Sequence, residues 1–274
     1  MAGELFVVGT PIGNLGDFSP RAVETLRNVD FIAAEDTRVT IKLLNYFEIK
    51  NKLIAYHEHN RAEKGPSIVE RILSGENCAL VTDAGMPAIS DPGQDLVRLC
   101  HESGIKVNTV PGPSAIITAL ALSGLEVSRF TFEGFLTGNK PKRREHLEEI
   151  KTERKTMVFY EAPHKLAATI HDLYETLGDR RIALIKELTK IHENIEFGTL
   201  KEFDGKYNFV KLKGEYVIII EAKTKEETEK EEEKPDPVEL AKKYVKEGLS
   251  VNEAAKRAAK ETNSKKSDIY RQLI

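Results

Sequence analysis

Long apolar runs are absent from the sequence: none approaches the ~18 to 20 residues that a helix needs to cross a bilayer. The first residues, MAGELFVVG, lack the basic start and small-residue cleavage site of a secretory signal. These two absences lead to the expectation of a cytoplasmic protein with no membrane partner. Cysteine is scarce as well. Cys78 and Cys100 are the only two, too few for a disulfide framework or a four-thiolate zinc site, and both sit among apolar neighbours as inert packing. Neither has a persuasive general-base partner and there is no GxSxG elbow, which disfavours covalent nucleophilic catalysis. A GxxxxGKS/T phosphate loop is missing too, which disfavours ATP hydrolysis. His57 and His59 would share one face of an extended segment, but the other five histidines add no complementary spacing, so no metal is expected.

What is present is a soluble globular composition, 40% hydrophobic and 31% charged over 274 residues, long enough for two domains and a small appendage. The net charge of −3 argues against a polyanionic partner only until its distribution is read. Residues 221 to 236 hold four of the 41 basic and eight of the 44 acidic residues, leaving 37 against 36 elsewhere. This stretch has no apolar periodicity and runs into Pro235 and Pro237, as a solvated linker does.

The first half alternates short β-rich runs with amphipathic helical patterns, the signature of βαβ units and a largely parallel sheet. Strands are expected near 4 to 9, 30 to 34, 53 to 56, 78 to 82 and 106 to 110. Ser19-Pro20, Asp91-Pro92 and Gly112-Pro113-Ser114 mark helix starts. After Gly124 a second α/β domain begins with a strand at 130 to 134 and a basic helix around 141 to 151. It continues through TMVFYE (156 to 161), a helix from Pro163 to Leu177, strands at 181 to 188 and 192 to 199, and EYVIIIEA (215 to 222). The expected organisation is therefore an N-terminal α/β domain over 1–122, a second over 123–222, an acidic linker over 223–236 and a small helix-turn-helix-like domain over 237–274.

Three dense Gly/Pro loops follow strands of the first domain: TPIGNLG (10 to 16), DAGMPAISDPG (83 to 93) and PGPSA (111 to 115). In an open α/β sheet such loops gather at the carboxyl edge, where a crevice receives a ligand. Glycine permits close backbone approach and proline limits the conformations lost on binding. Gly9, Gly13 and Gly16 are spaced GxxxGxxG, only a partial match to a dinucleotide fingerprint, even with Glu35 and Asp36 closing the second strand. Basic residues are densest at Lys140, Lys142, Arg143 and Arg144, which suit a phosphate backbone. The segment from Val238 onward carries nine basic and five acidic residues, a second surface suited to a polyanion or else a dimerisation element.

Taken together, TPIGNLGD (10 to 17), AAEDTR (33 to 38), YHEHN (56 to 60), SDPG (90 to 93), VPGPSA (110 to 115), FEGFL (132 to 136), FYEAPHK (159 to 165), KELTK (186 to 190) and KGE (213 to 215) resemble the ribosomal RNA small subunit methyltransferase I family, in order over residues 4 to 222. The resemblance implies two α/β domains of tetrapyrrole methylase type with a cofactor cleft between them, S-adenosylmethionine as methyl donor, and 2′-O-methylation of a cytidine ribose in the decoding region of 16S ribosomal RNA within the small subunit, by a homodimer. A tetrapyrrole-type methyltransferase and a non-catalytic nucleotide-binding module are the alternatives. Two departures stand out: Met86 where the family more often has threonine, and Ala162 with Lys165 where it has serine and arginine.

By the same resemblance one wall of the cofactor cleft is formed by Thr10, Pro11, Ile12 and Gly13, by Asp83, Ala84, Gly85, Pro87 and Ser90, and by Pro113, Ser114 and Ala115. The facing wall is formed by Phe159, Tyr160 and Glu161, by Leu188 and Thr189, and by Gly214 and Glu215. Asp36, Glu187 and Lys190 are the catalytic candidates, with Asp36 or Glu187 taking the hydroxyl proton. Arg38, Lys165 and the basic cluster are the candidates for RNA phosphates.

Overall fold

The computed structural model describes residues 1–223, 236–262 and 264–273. The chain divides into two units, Met1–Ala222 and Lys223–Ile274. Most of the acidic linker, residues 224–235, lies outside the described residues.

The first half of unit 1 holds β1 (Leu5–Val8), α1 (Pro20–Asn28), β2 (Phe31–Ala34), α2 (Thr37–Tyr46), β3 (Leu53–Ala55), α3 (Arg61–Leu73), β4 (Cys78–Val81), α4 (Gln94–Glu102), β5 (Val107–Val110) and α5 (Ala115–Leu122). The five strands form one parallel sheet in the order β3-β2-β4-β1-β5. β2 and β4 are buried along their whole length, as strands covered by helices on both faces must be. Cys78, Leu80 and Phe31 pack on one face with α3 and α4; Ile32, Ala79 and Val81 pack on the other with α1 and α2. Burial pushes both thiols upward, Cys100 to about 11, so neither is a thiolate at neutral pH.

The second half holds β6 (Phe130–Phe135), α6 (Lys140–Ile150), β7 (Thr156–Glu161), α7 (Leu166–Leu177), β8 (Arg181–Lys186), β9 (Asn194–Thr199), α8 (Leu200–Phe203) and β10 (Tyr216–Ile220). Its sheet runs β6-β7-β10-β8-β9, with β6 and β7 parallel and the remaining pairs antiparallel. β10, YVIII, is central and feeds both faces: Tyr216, Ile218 and Ile220 join α7 in one core, while Val217 and Ile219 join Val158, Ile185 and the α5 residues Ile116, Ala119 and Leu120 in another. That second core fuses the two sheets, because α5 closes the first and lies on the second.

Two expected helix starts move. α4 begins at Gln94 and not at Asp91-Pro92, because Gly93 occupies the cap at φ 143°, where a Cβ would come within 2.7 Å of Leu80. α7 begins at Leu166, after Pro163. In unit 2, α9 (Pro237–Lys246), α10 (Val251–Thr262) and α11 (Lys266–Leu273) pack around Ala241, Ala254, Ala255, Ala258 and Ile269. No helix among the described residues is long and apolar enough to cross a membrane.

Candidate active site

The three Gly/Pro loops meet because their strands do. β4, β1 and β5 are adjacent in the sheet, so the segments after Val81, Val8 and Val110 leave side by side. Gly9 and Gly112 touch there: a Cβ on Gly112 would lie 2.8 Å from the Gly9 Cα. Thr10 and Gly85 exchange backbone hydrogen bonds of 2.9 and 3.1 Å, and the Thr10 hydroxyl donates to the Thr82 carbonyl. Thr10, buried at 1%, thus fastens the first loop to the second.

A cavity of about 730 Å³ opens between these loops and the second sheet, within the size range of small-molecule sites. Of the wall residues expected from sequence, Ile12, Ala84, Gly85, Ser90, Ser114, Ala115, Tyr160, Glu161, Leu188 and Glu215 line it. Thr10, Pro11, Gly13, Asp83, Pro87, Pro113, Thr189 and Gly214 are not on its surface; they shape the turns behind it. Phe159 cannot meet a ligand, because it is fully buried in the α7 core, on the opposite side of β7 from Tyr160. Sequence reasoning missed Asp91, Ile116, Phe130, Phe132 and Phe135, all on the lining. Of the three positions that depart from the resemblance, Met86 and Ala162 face the cavity and Lys165 does not.

Every charged residue on the lining is acidic: Asp91, Glu161 and Glu215. Glu161 is 2% exposed and fully engaged, its Oε2 accepting from Thr169 Oγ1 at 2.5 Å and its Oε1 from the Ala162 amide at 2.7 Å. Glu215 pairs with Lys190 at 2.7 Å. Among the described residues Asp91 has no ion-pair partner; burial, reinforced by Glu35 and Asp83, raises its pKa, and the nearby Thr82 hydroxyl donates to Glu35 at 2.5 Å. Across the cavity, desolvation and the Asp91 charge push the Tyr160 phenol up to about 12.

The catalytic candidates fare differently from expectation. Asp36 caps α2, accepting from the Arg38 amide, and its carboxylate grips the Arg38 guanidinium at 2.6 Å. Those hydrogen bonds hold it down to about 2, which makes it a poor proton acceptor, and it is not on the lining. Glu187 is drawn below the ordinary range by the Lys190 ammonium, 2.9 Å away. Burial works against the Lys190 charge, but Glu215 and Glu187 together hold its pKa high, so it stays protonated. These two belong to a strained turn in which Glu187 and Thr189 have φ of 53° and 64°, conformations costly for residues with a Cβ. The turn presses on Gly13, whose Cβ would lie 2.6 Å from Lys190 Cγ, and Thr189 Oγ1 accepts from the Asn14 amide across the two sheets.

Among the phosphate candidates, Arg143 is not available. Its side chain, 15% exposed, donates to Asp172 at 2.6 Å and to Thr169 at 3.0 Å. Lys140, Lys142 and Arg144 are exposed. Lys165 is half-buried near Gly138, and Arg38 is exposed but paired with Asp36. Among the described residues no group of three or more His, Cys, Asp or Glu is arranged to hold a metal.

The fold and this loop-lined cavity define a methyltransferase of the tetrapyrrole (corrin/porphyrin) methylase class, whose family model matches residues 4–204. Solved structures agree on the fold: uroporphyrin-III C-methyltransferase from Thermus thermophilus in complex with S-adenosylhomocysteine superposes with a TM-score of 0.58 at 15% identity, covering 80% of this chain and 97% of that one, and a cobalt precorrin-4 methyltransferase with 0.60 at 16%, covering 80% and 94%. Closer relatives are proteins named ribosomal RNA small subunit methyltransferase I. That of Halalkalibacterium halodurans is 45% identical over 98% of this chain and 93% of its own length, and that of Bacillus subtilis 43% over the same shares. The Thermotoga maritima relative is 44% identical over 221 residues, 81% of this chain and 99% of its own length. The chain belongs to the ribosomal RNA small subunit methyltransferase I family.

Proposed function

We propose that the chain transfers a methyl group from S-adenosylmethionine to the 2′-hydroxyl of a cytidine in the decoding region of 16S ribosomal RNA, within the small subunit, acting as a cytoplasmic homodimer. The observation that carries the cofactor reading is the charge of the lining: three carboxylates and no cation around a largely apolar cavity suit a ligand with an uncharged nucleoside and a positive sulfonium. Ala84 and Gly85, with Gly85 at φ 86°, offer backbone at close range. Ser114 leaves the first turn of α5 without a side-chain cap, so its amides suit the cofactor's carboxylate.

When bound, S-adenosylmethionine supplies an electrophilic methyl group, and no metal is needed. The protein's residues position and desolvate the two reactants, work that accounts for roughly 7 to 11 kcal/mol of barrier lowering where alignment is good. Asp91 is the carboxylate suited to take the hydroxyl proton, since Glu161 is fully hydrogen-bonded and Glu215 is neutralised by Lys190. The 221-residue span shared with the Thermotoga maritima relative matches unit 1 in size, which favours unit 1 as the catalytic body and unit 2 as an accessory basic surface.

The test is transfer of tritiated methyl to unmethylated small subunits, free 16S RNA and a porphyrinoid, with the labelled nucleotide mapped by mass spectrometry and the oligomeric state read by light scattering. Labelling of a cytidine ribose in the subunit is expected. Labelling of the porphyrinoid alone would replace this reading with a small-molecule methyltransferase.

A further inference from the structure

β6 is the edge strand of the second sheet and is unusually aromatic, FTFEGF. It pairs with β7 through Phe130↔Thr156 and Phe132↔Val158, and then slips: Gly134 lies opposite Phe159 and Phe135 opposite Tyr160. In an unbroken strand Phe132 and Phe135 would point to opposite faces, because side chains alternate with a period of two. The one-residue bulge restores Phe135 to the face of Phe130 and Phe132. Gly134, at φ 66° with open space around it, makes the bulge possible by its backbone freedom. The result is a row of three phenylalanines on the cavity wall, closed by Tyr160, whose ring lies 5.0 Å from Phe132 and 5.5 Å from Phe135 at 67° and 60°. Neither contact is face to face, and Phe135 is 57% exposed.

An exposed aromatic row in water is a costly surface unless something covers it. The next helix in the chain indicates the occupant. α6 begins five residues after Phe135, and Lys140, Lys142 and Arg144 project from it with no ion-pair partner among the described residues. Aromatic faces beside unpaired cations are how single-stranded nucleic acid is held: bases stack on the rings and phosphates meet the cations. A second copy docked on this face through a two-fold axis would meet the same patch and bring like charges together.

We propose that Phe135, supported by Phe132 and Tyr160, stacks the unpaired base of the nucleotide being methylated, while Lys140, Lys142 and Arg144 hold phosphates of the adjoining strand. This rests on the RNA-methyltransferase reading above and gives it a substrate subsite. The cavity wall meets the target through an aromatic ring, so a nucleotide that leaves its stack to bring its ribose to the cavity regains part of the lost stacking on Phe135.

The test uses the full chain with F135A, F135L and F135W, none of which removes a buried side chain. Methylation of unmethylated small subunits gives KM and kcat, calorimetry gives affinity for S-adenosylhomocysteine, and quenching of pyrrolo-cytidine in a short single-stranded RNA reports stacking without turnover. F135A and F135L are expected to raise KM by roughly 5- to 150-fold and to lose the quench, F135W to stay within about threefold of the parent, and S-adenosylhomocysteine affinity to hold. Parent-like KM and quenching in F135L, or a parallel loss of S-adenosylhomocysteine affinity, would overturn the proposal, as would a change of oligomeric state that accounts for the KM. Failure of the unsubstituted protein to methylate any RNA while the quench still depends on Phe135 would sink the enzymatic reading and leave the stacking site standing.

Discussion

The hydroxyl of Thr169 donates to the Glu161 carboxylate at 2.5 Å, and both residues are shut away from solvent. Among the described residues no cation pairs with Glu161 directly. Arg143 reaches Thr169 Oγ1 at 3.0 Å, occupying that oxygen as an acceptor and so turning its hydrogen toward Glu161. Thr169→Val keeps the shape and deletes the hydroxyl, leaving a buried carboxylate oxygen unpaired, which costs about 1–3 kcal/mol. Denaturant unfolding is expected to show that loss, with weaker S-adenosylhomocysteine binding because Glu161 lies on the cavity lining.

Arg143 and its neighbours are expected to separate by phenotype. Arg143→Ala breaks the bond to Asp172 and the support of Thr169, so it lowers stability by about 1–2 kcal/mol without changing the salt dependence of RNA binding. Replacing Lys140, Lys142 and Arg144 together by alanine leaves the thermal midpoint unchanged but flattens the plot of log affinity against log salt by about 2, at roughly 0.7 per phosphate contact on a single strand. Equal slopes in the two variants would show that α6 does not meet phosphate.

That contrast marks where sequence reading stops. The run Lys140 to Arg144 announces its charge but not its helical phase, and only the packing of α6 on α7 turns Arg143 inward. The Gly/Pro loops were legible as a ligand edge because backbone chemistry is local. Their adjacency depends on the strand order β4-β1-β5, a non-local fact. Phe135 was hidden for a related reason: strict alternation places it away from Phe132, and the bulge at Gly134 is settled by pairing with β7. Asp91 was read as part of a helix start, whereas Gly93 takes the cap and leaves Asp91 facing the cavity.

Gly112 tests the loop geometry directly. Its backbone is not left-handed, so alanine there is opposed only by space, namely the Gly9 backbone at 2.8 to 2.9 Å. Gly112→Ala must push the β1 and β5 loops apart, at about 1–3 kcal/mol. S-adenosylhomocysteine affinity is expected to fall at least tenfold, on the order of 1.4 kcal/mol, with the far face of the sheet unaffected by hydrogen exchange.

Asp36 is expected to matter for folding and not for turnover. Asparagine caps helices as well as aspartate does, so Asp36→Asn preserves the start of α2 and loses only the negative charge paired with Arg38, while Asp36→Ala loses both. Because the folded pKa lies below the unfolded one, the pair stabilises the protein above about 3.8 and that contribution fades as pH falls toward about 2. A kcat of Asp36→Asn within about threefold of the parent is the expected result, and a fall of a hundredfold would return Asp36 to the role of base.

Asp91 carries the opposite signature. Its pKa is raised, so the ionised form needed to accept a proton is the one that burial disfavours. The acid limb of kcat/KM is therefore expected above the usual aspartate range, rising with pH as Asp91 ionises, and Asp91→Asn should abolish that limb and lower kcat by ~10²- to 10⁴-fold. Stability moves the other way. A carboxyl whose folded pKa exceeds its unfolded value stabilises the fold at low pH and loses that contribution as pH rises through the folded pKa. At neutral pH the uncharged amide then removes a strain that the parent carries, and Asp91→Asn is expected to melt higher while turning over more slowly, the trade expected of a group kept ionised for chemistry. Scanning calorimetry at pH 7 beside single-turnover methylation checks both halves; a variant that melts lower and methylates normally would make Asp91 a structural carboxylate.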